Sequence, residues 1–266
     1  MKRLAIILIT AILLLSAPAC KQSDNSGAPM SEKYSGIPKD YETILDAYTD
    51  IVNRQRYEGY GYNVPMRTED YPAIDPSFFD IITNCVTRSC ICGANGYFLG
   101  YATRDINLDG IDELFLVDRD FQIYAMFTVA NGKIIAKDFS KPAWPPSIAI
   151  DATGNFYISG VGKGECAWYE IVRLHTDGEL YGTTFGRYDM TGFYDDSESY
   201  NYYYTTEPES GKLNTVRISD EKYDEMRSAF WEILQSLDDD GCGTFHHATD
   251  RESFTYYEVN TQDLRK

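Results

Sequence analysis

The stretch "YFLGYATRDINLDGIDELFLVD", residues 97–118, determines how the middle of this chain folds. Its two outer parts are short runs rich in aromatic and β-branched residues, which favour strands. Between them lies a polar segment with a glycine, which is typical of a tight connection. The stretch therefore predicts a strand–loop–strand element within a meander of antiparallel hairpins.

Similar runs continue to about residue 206, and many are separated by turn signals at Asn131-Gly132, Thr153-Gly154 and Asp177-Gly178. Two segments, "YAMFTVANGK" and "YEIVRLHTDGE", share a strand–turn–strand shape about 45 residues apart, which is a blade-like spacing. Two such segments are too few to predict a propeller. We expect a curved antiparallel β-meander.

Helices are predicted on both sides of this meander. In "DYETILDAYTDIVNRQRY" apolar residues recur at helical spacing after Asp40, a candidate N-cap, and a second helix is expected at "DPSFFDIIT", with Asp75 as its cap and Pro76 at its first position. Ser219 is expected to cap a C-terminal helix. The apolar stripe of that helix comprises Met226, Phe230, Ile233, Leu234 and Leu237.

The predicted fold class is therefore α+β, an antiparallel β-meander flanked by N-terminal helices and one C-terminal helix. We expect a single domain over residues 38–266. It would be helical over 38–93 and β-rich over 94–218, with the C-terminal helix and tail over 219–266.

Composition and charge restrict the classes of function. Hydrophobic residues make up 43% and aromatic residues 14%, enough for a packed core. There are 41 acidic and 24 basic residues, a formal net charge of −17. Such a surface repels phosphate backbones, which argues against nucleic acid as a partner.

The N-terminus carries an export signal. "MKRLAIILITAILLLSAPAC" begins with Lys2 and Arg3, continues with an apolar run too short to span a bilayer, and ends in small residues before Cys20. It resembles a bacterial lipoprotein signal, which implies removal of residues 1–19, lipidation (palmitate) of Cys20 and a membrane anchor at the outer face of the cell. The alternative is a simple cut after Ala19 that releases a soluble protein. Residues 20–37 are polar and rich in Ser, Gly and Pro, as expected of a flexible tether.

The loop "DINLDGIDE" has the spacing of a calcium site. Asp105, Asn107 and Asp109 occupy alternate positions before Gly110, which permits a sharp turn. Ile111 would offer its carbonyl oxygen and Glu113 would complete the coordination. Hard oxygen donors with several negative charges favour Ca²⁺, here in a structural role.

This loop is not an EF-hand, because Leu116 stands where such a loop needs a glutamate. It resembles the short calcium loops of integrin-type FG-GAP and related VCBS-type repeats. It is also similar to the "DxDxDGxxEL" segment of uncharacterised bacterial surface lipoproteins, which combine a leader, an N-terminal helix and a β-rich domain. The resemblance implies calcium at Asp105, Asn107, Asp109 and Glu113, and it implies no activity.

Two other interpretations of acidic segments remain open. The loop at residues 105–113 would also be explained as an Asx-rich turn that is stabilised by side-chain-to-backbone hydrogen bonds. "SLDDDGCG" partly repeats the pattern with Ser236, Asp238, Asp240 and Gly241, but that glycine is explained more simply as a helix C-cap.

Five cysteines follow Cys20, and their spacing fits no common zinc pattern. An exported chain is expected to form disulfides, with at least one of the five left over; reduced, packed thiols are the alternative. The pairing is not deducible from sequence. The five residues are Cys85, Cys90, Cys92, Cys166 and Cys242.

No catalytic motif accompanies the histidines, His175, His246 and His247. An enzyme is therefore the less favoured interpretation; a cell-envelope or carbohydrate-active hydrolase with paired carboxylates is the alternative.

The segment "YNYYYTTE" suggests a binding module instead. It would place Tyr202 and Tyr204 on one strand face and Tyr203 on the other, where tyrosines can stack on a glycan or contact a protein ligand. The competing explanation is that these tyrosines only cover the sheet. The membrane is expected as a partner only through the Cys20 lipid.

Overall fold

The computed structural model describes Tyr34 and residues 36–57, 66–91, 99–140, 146–161, 167–189, 200–206, 214–237 and 249–259. Within these residues, the α-helices are α1 (Glu42–Tyr57), α2 (Pro76–Ile91) and α3 (Asp220–Leu237). The strands are β1 (Leu99–Arg104), β2 (Glu113–Asp118), β3 (Ile123–Ala130), β4 (Lys133–Asp138), β5 (Ser147–Ile150), β6 (Asn155–Val161), β7 (Ala167–Leu174), β8 (Leu180–Asp189), β9 (Tyr200–Thr206), β10 (Asn214–Ile218) and β11 (Thr255–Glu258).

These strands form two antiparallel sheets. The first sheet has the order β11-β1-β2-β3-β4, and the second has the order β10-β9-β8-β7-β6-β5. Nearly all neighbours are consecutive in sequence, as in a meander. The exception is β11, which pairs with β1 in a register that runs from Gly100 opposite Glu258 to Thr103 opposite Thr255.

The two sheets pack face to face around a shared apolar core. Ala102, Phe115, Val117, Ile123 and Met126 come from the first sheet, and Ile148, Ile150, Phe156, Ile158, Val172 and Leu174 come from the second. Strand alternation sends every second side chain of these strands to the opposite, outer face.

Helices cover both outer faces. The hydroxyl of Tyr48 in α1 donates to the carbonyl oxygen of Gly100 in β1 at 2.9 Å. The ring of Phe78 in α2 meets Phe127 in β3 edge to face, with centroids 5.6 Å apart. On the second sheet, Phe230 of α3 belongs to a cluster with Tyr157, Tyr169 and Phe185. The layers are therefore helix, sheet, sheet, helix.

The arrangement of the layers explains why β2 is apolar along most of its length. All six residues of β2 are buried, because this strand is covered by helices on one side and by the second sheet on the other. A strand buried on both faces needs a continuous apolar run rather than an alternating one, and "ELFLV" supplies it.

The predicted α+β fold, with N-terminal helices, an antiparallel meander and a C-terminal helix, is confirmed. Asp75 caps α2 as predicted, since its Oδ1 accepts the N–H of Ser77 at 2.8 Å. Ser219 likewise accepts the N–H of Lys222 at 3.3 Å at the start of α3. Asp40 does not act as an N-cap: it lies inside a short 3₁₀ helix, Lys39–Tyr41, that leads into α1.

No described helix is both long and apolar enough to cross a bilayer. The leader and residues 20–33, on which the export and lipidation predictions rest, lie outside the described residues. Of the end of the predicted tether, Tyr34, Gly36 and Ile37 are described, and Tyr34 and Ile37 are buried.

Candidate functional site

The acidic loop closes the hairpin between β1 and β2. Arg104 pairs with Glu113 as the last rung of the ladder, so residues 105–112 form the connection. Gly110 adopts a φ of +89° and Leu108 a φ of +60°. The left-handed region is accessible to glycine at little cost, so Gly110 has the role that the sequence predicts for it.

Three polar side chains of the loop turn towards its own backbone. The N–H of Asp109 donates both to Asp105 Oδ1 at 3.1 Å and to Asn107 Oδ1 at 3.0 Å. The N–H of Gly110 donates to Asp105 Oδ2 at 3.0 Å, and that of Ile111 to Asp109 Oδ1 at 2.8 Å. The side-chain oxygens of Asp105, Asn107 and Asp109 are thus gathered around three consecutive amides on the exposed side of the hairpin.

Glu113 lies behind the loop and is 1% exposed. Its Oε2 accepts the N–H of Ile106 at 2.7 Å, and its Oε1 accepts the hydroxyl of Thr128 at 3.0 Å. Burial raises the pKa of this carboxyl to about 7; the two hydrogen bonds oppose the rise, and the nearby Asp109 and Asp105 add to it. No ion pair with Glu113 is found among the residues that the structure describes.

Sequence reasoning missed two residues of this site. Burial raises the pKa of the Asp112 carboxyl, which receives hydrogen bonds from the Thr103 side chain and the Asp105 backbone and lies close to the charge of Asp105. Ile106, 1% exposed, is the loop residue that enters the core between the sheets, whereas Ile111 is only half-buried. The short apolar–polar alternation of "DINLDGID" gave no signal that separates these two isoleucines.

The donor set suits a hard cation, although the oxygens are engaged with backbone amides. Within the described ranges, no three His, Cys, Asp or Glu side chains converge in a metal cluster. However, an ionised carboxylate has about four lone-pair sites, so one N–H bond leaves capacity for an ion. The amide oxygen of Asn107 and the carbonyl oxygen of Ile111 are further ligands of the kind that calcium accepts. The set fits calcium provided that some hydrogen bonds within the loop are exchanged for coordination.

The tyrosines of β9 have different surroundings. Tyr204 is half-buried and packs against the apolar cluster between α3 and the second sheet. Tyr202 pairs with Ile218, which packs against the same cluster. Tyr203 pairs with Gly186 in β8 and with Arg217 in β10. Packing accounts for Tyr204, and the side chains of Tyr202 and Tyr203 lie outside the described part.

The remaining predicted residues are spread over the chain. Cys85 is a thiol buried in α2. His175 begins the β7–β8 turn, where its ring meets Tyr181 edge to face. Ser236 lies in α3 and donates to the carbonyl oxygen of Ile233. The described residues do not include Cys20, Cys92, Cys166, Asp238, Asp240, Gly241, Cys242, His246 and His247, nor the side chain of Cys90.

Comparison of the chain with family models, with curated proteins and with solved structures finds no match. The loop therefore has to be interpreted from its own residues.

Proposed function

We propose that this chain is an exported, lipid-anchored surface protein whose loop at residues 105–113 binds calcium as a structural ion. The observation that carries the proposal is the gathering of the Asp105, Asn107 and Asp109 oxygens in front of the buried Glu113. Four oxygen-bearing side chains are held by one short hairpin, and they bring more negative charge than the hairpin neutralises.

Electrostatics supports a cation at this place. Carboxylates that crowd together repel each other, and a buried one also loses its hydration. The raised pKa of Glu113, which has burial as its main cause, reflects this cost. A divalent ion would remove the repulsion and favour the ionised form of every acid around it.

The ion would be held by Asp105, Asn107, Asp109 and the Ile111 carbonyl oxygen, with Glu113 completing the site. When bound, it would supply no catalytic chemistry but would fix the hairpin. The residues themselves already define the turn through the hydrogen bonds to the amides of Asp109, Gly110 and Ile111. We expect an affinity in the extracellular range, about 10⁻⁴ to 10⁻³ M.

Lipidation at Cys20 would place the domain at the outer face of the membrane, where calcium is more abundant than in the cytosol. The strongly acidic surface agrees with a partner that is a cation, a neutral glycan or a protein. We therefore propose a surface binding module, with the exposed Arg217 and its strand partner Tyr203 as the first positions to probe.

Calorimetric titration with Ca²⁺ tests the calcium site. Wild type should bind one ion, and Asp109→Asn should weaken the binding by at least about tenfold, since a ligand charge is lost. Asp177→Asn is the matched control: Asp177 also accepts a turn N–H, that of Glu179 at 3.0 Å, next to a left-handed glycine. If wild type and both variants give the same heat, the loop is only an Asx-rich turn.

A further inference from the structure

The acidic loop of the first sheet is docked on a turn of the second sheet. That turn, residues 151–155, joins β5 to β6. A Cβ atom at Gly154 would lie 2.9 Å from the carbonyl oxygen of Ile106 and 3.0 Å from its Cγ2. Gly154 also has a φ of +84°. Only glycine therefore allows the turn to approach the loop this closely.

Arg104 makes a second connection between the same two segments. It immediately precedes the loop, and its Nη1 and Nη2 donate to the carbonyl oxygens of Asp151 at 3.0 Å and Ala152 at 2.5 Å. Its guanidinium also lies 5.2 Å from the centre of the Phe254 ring. One side chain thus ties the start of the loop to the first two residues of the turn.

Each segment is also held together internally. Within the turn, Asp151 Oδ1 accepts the N–H groups of Thr153 and Asn155, both at 2.9 Å. Within the loop, Glu113 accepts the N–H of Ile106, the residue that touches Gly154. A displacement of Ile106 therefore disturbs both segments, because its N–H is bonded to Glu113 in the loop and its carbonyl oxygen lies close to Gly154 in the turn.

We infer that the loop at residues 105–113 and the turn at residues 151–155 open and close as one cooperative unit that links the two sheets. The unit does not require an ion, since it is held by the Ile106–Gly154 contact and by the hydrogen bonds from Arg104 to the turn. When the proposed calcium site is occupied, the same contact would transmit its occupancy to the second sheet. This would make the hairpin a conformational coupling device rather than an isolated loop.

Hydrogen exchange of the full-length protein, followed by mass spectrometry or NMR, tests this inference. Gly154→Ala should accelerate the exchange of the Asp109, Gly110 and Ile111 amides by at least about fivefold, as well as that of the turn amides. Gly132→Ala is the matched control: Gly132 has a φ of +70°, but no described atom lies within 4 Å of its added Cβ. It should leave the loop amides unchanged.

Two further variants keep the test decisive should Gly154→Ala not fold. Arg104→Lys retains the charge but cannot span both carbonyl oxygens in the same way, and it should accelerate exchange in the loop and the turn together. Asp105→Ala should accelerate exchange of the Thr153 and Asn155 amides, since coupling is reciprocal. Faster exchange in only the mutated segment, or an equal increase throughout β8, would overturn the inference. All variants are measured in the presence of a chelator, so that neither outcome depends on calcium binding at Asp105.

Discussion

Replacing Glu113 with glutamine isolates the stability cost of a buried carboxyl in the loop. The wild-type carboxyl is 1% exposed, and burial is the main cause that raises its pKa from 4.5 to about 7. Glutamine keeps the shape and both hydrogen bonds: its oxygen can accept from Ile106, and its amide can donate to the Thr128 oxygen. The variant therefore changes the charge and little else.

The size of the effect follows from the shift in pKa. Each unit corresponds to 1.36 kcal/mol, so a rise from 4.5 to about 7 amounts to about 3 kcal/mol. Between these pH values the folded protein keeps a proton that the unfolded chain has released. The free energy of unfolding of wild type therefore falls as the pH rises through this window, and the loss is complete above it. Glutamine at this position does not titrate.

Urea unfolding in the presence of a chelator measures the difference. The stability of Glu113→Gln relative to wild type should increase by about 3 kcal/mol between about pH 4 and about pH 9. For a domain of this size, that corresponds to roughly 6–12 °C in Tm. Exposed Glu252 provides the control, since Glu252→Gln should follow the wild-type profile. Parallel profiles for wild type and Glu113→Gln would refute the argument that burial of this carboxyl costs stability.

Three further predictions concern the core and the anchor. Phe230→Ala should reduce the free energy of unfolding by about 3–5 kcal/mol in urea, because it empties the cluster between α3 and the second sheet; a loss below about 1 kcal/mol would contradict this packing. Tyr48→Phe should cost about 1 kcal/mol in the same assay, since it removes the hydrogen bond to the Gly100 carbonyl oxygen, and an unchanged stability would argue against that bond. Cys20→Ser should abolish incorporation of labelled palmitate in cells and release the protein from membranes, whereas labelling of the serine variant would exclude Cys20 as the lipidation site.

Local signals in the sequence predict the three α-helices and the strands from β1 to β9, but not β10 and β11. Asp75 followed by Pro76 marks the start of α2, because both residues act within one turn of chain. The turn at Asn131-Gly132 marks the β3–β4 hairpin for the same reason. In contrast, "TYYE" at residues 255–258 is short, and its partner β1 is more than 150 residues away, so the pairing leaves no local trace.

The arrangement of the layers also depends on contacts that are distant in sequence. The apolar runs show that β2 and β3 are buried, but they do not say that a second sheet covers one face. The structure of the loop likewise depends on contacts that are distant in sequence. Its position and its glycine are readable from "DINLDGIDE", whereas the inward orientation of Glu113 depends on Thr128 in the next strand, and the insertion of Ile106 depends on the space left by Gly154.

The stabilising role of calcium is tested most directly by thermal unfolding of residues 21–266 in a chelator and in calcium, beside Asp105→Ala. With a dissociation constant of about 0.1 mM and about 5 mM Ca²⁺, linkage predicts roughly 2 kcal/mol of stabilisation. A domain of this size should then unfold several degrees higher, roughly 4–8 °C. The wild type is expected to show this rise and Asp105→Ala is not. Equal unfolding temperatures of the wild type in chelator and in calcium would contradict a structural calcium site at this loop.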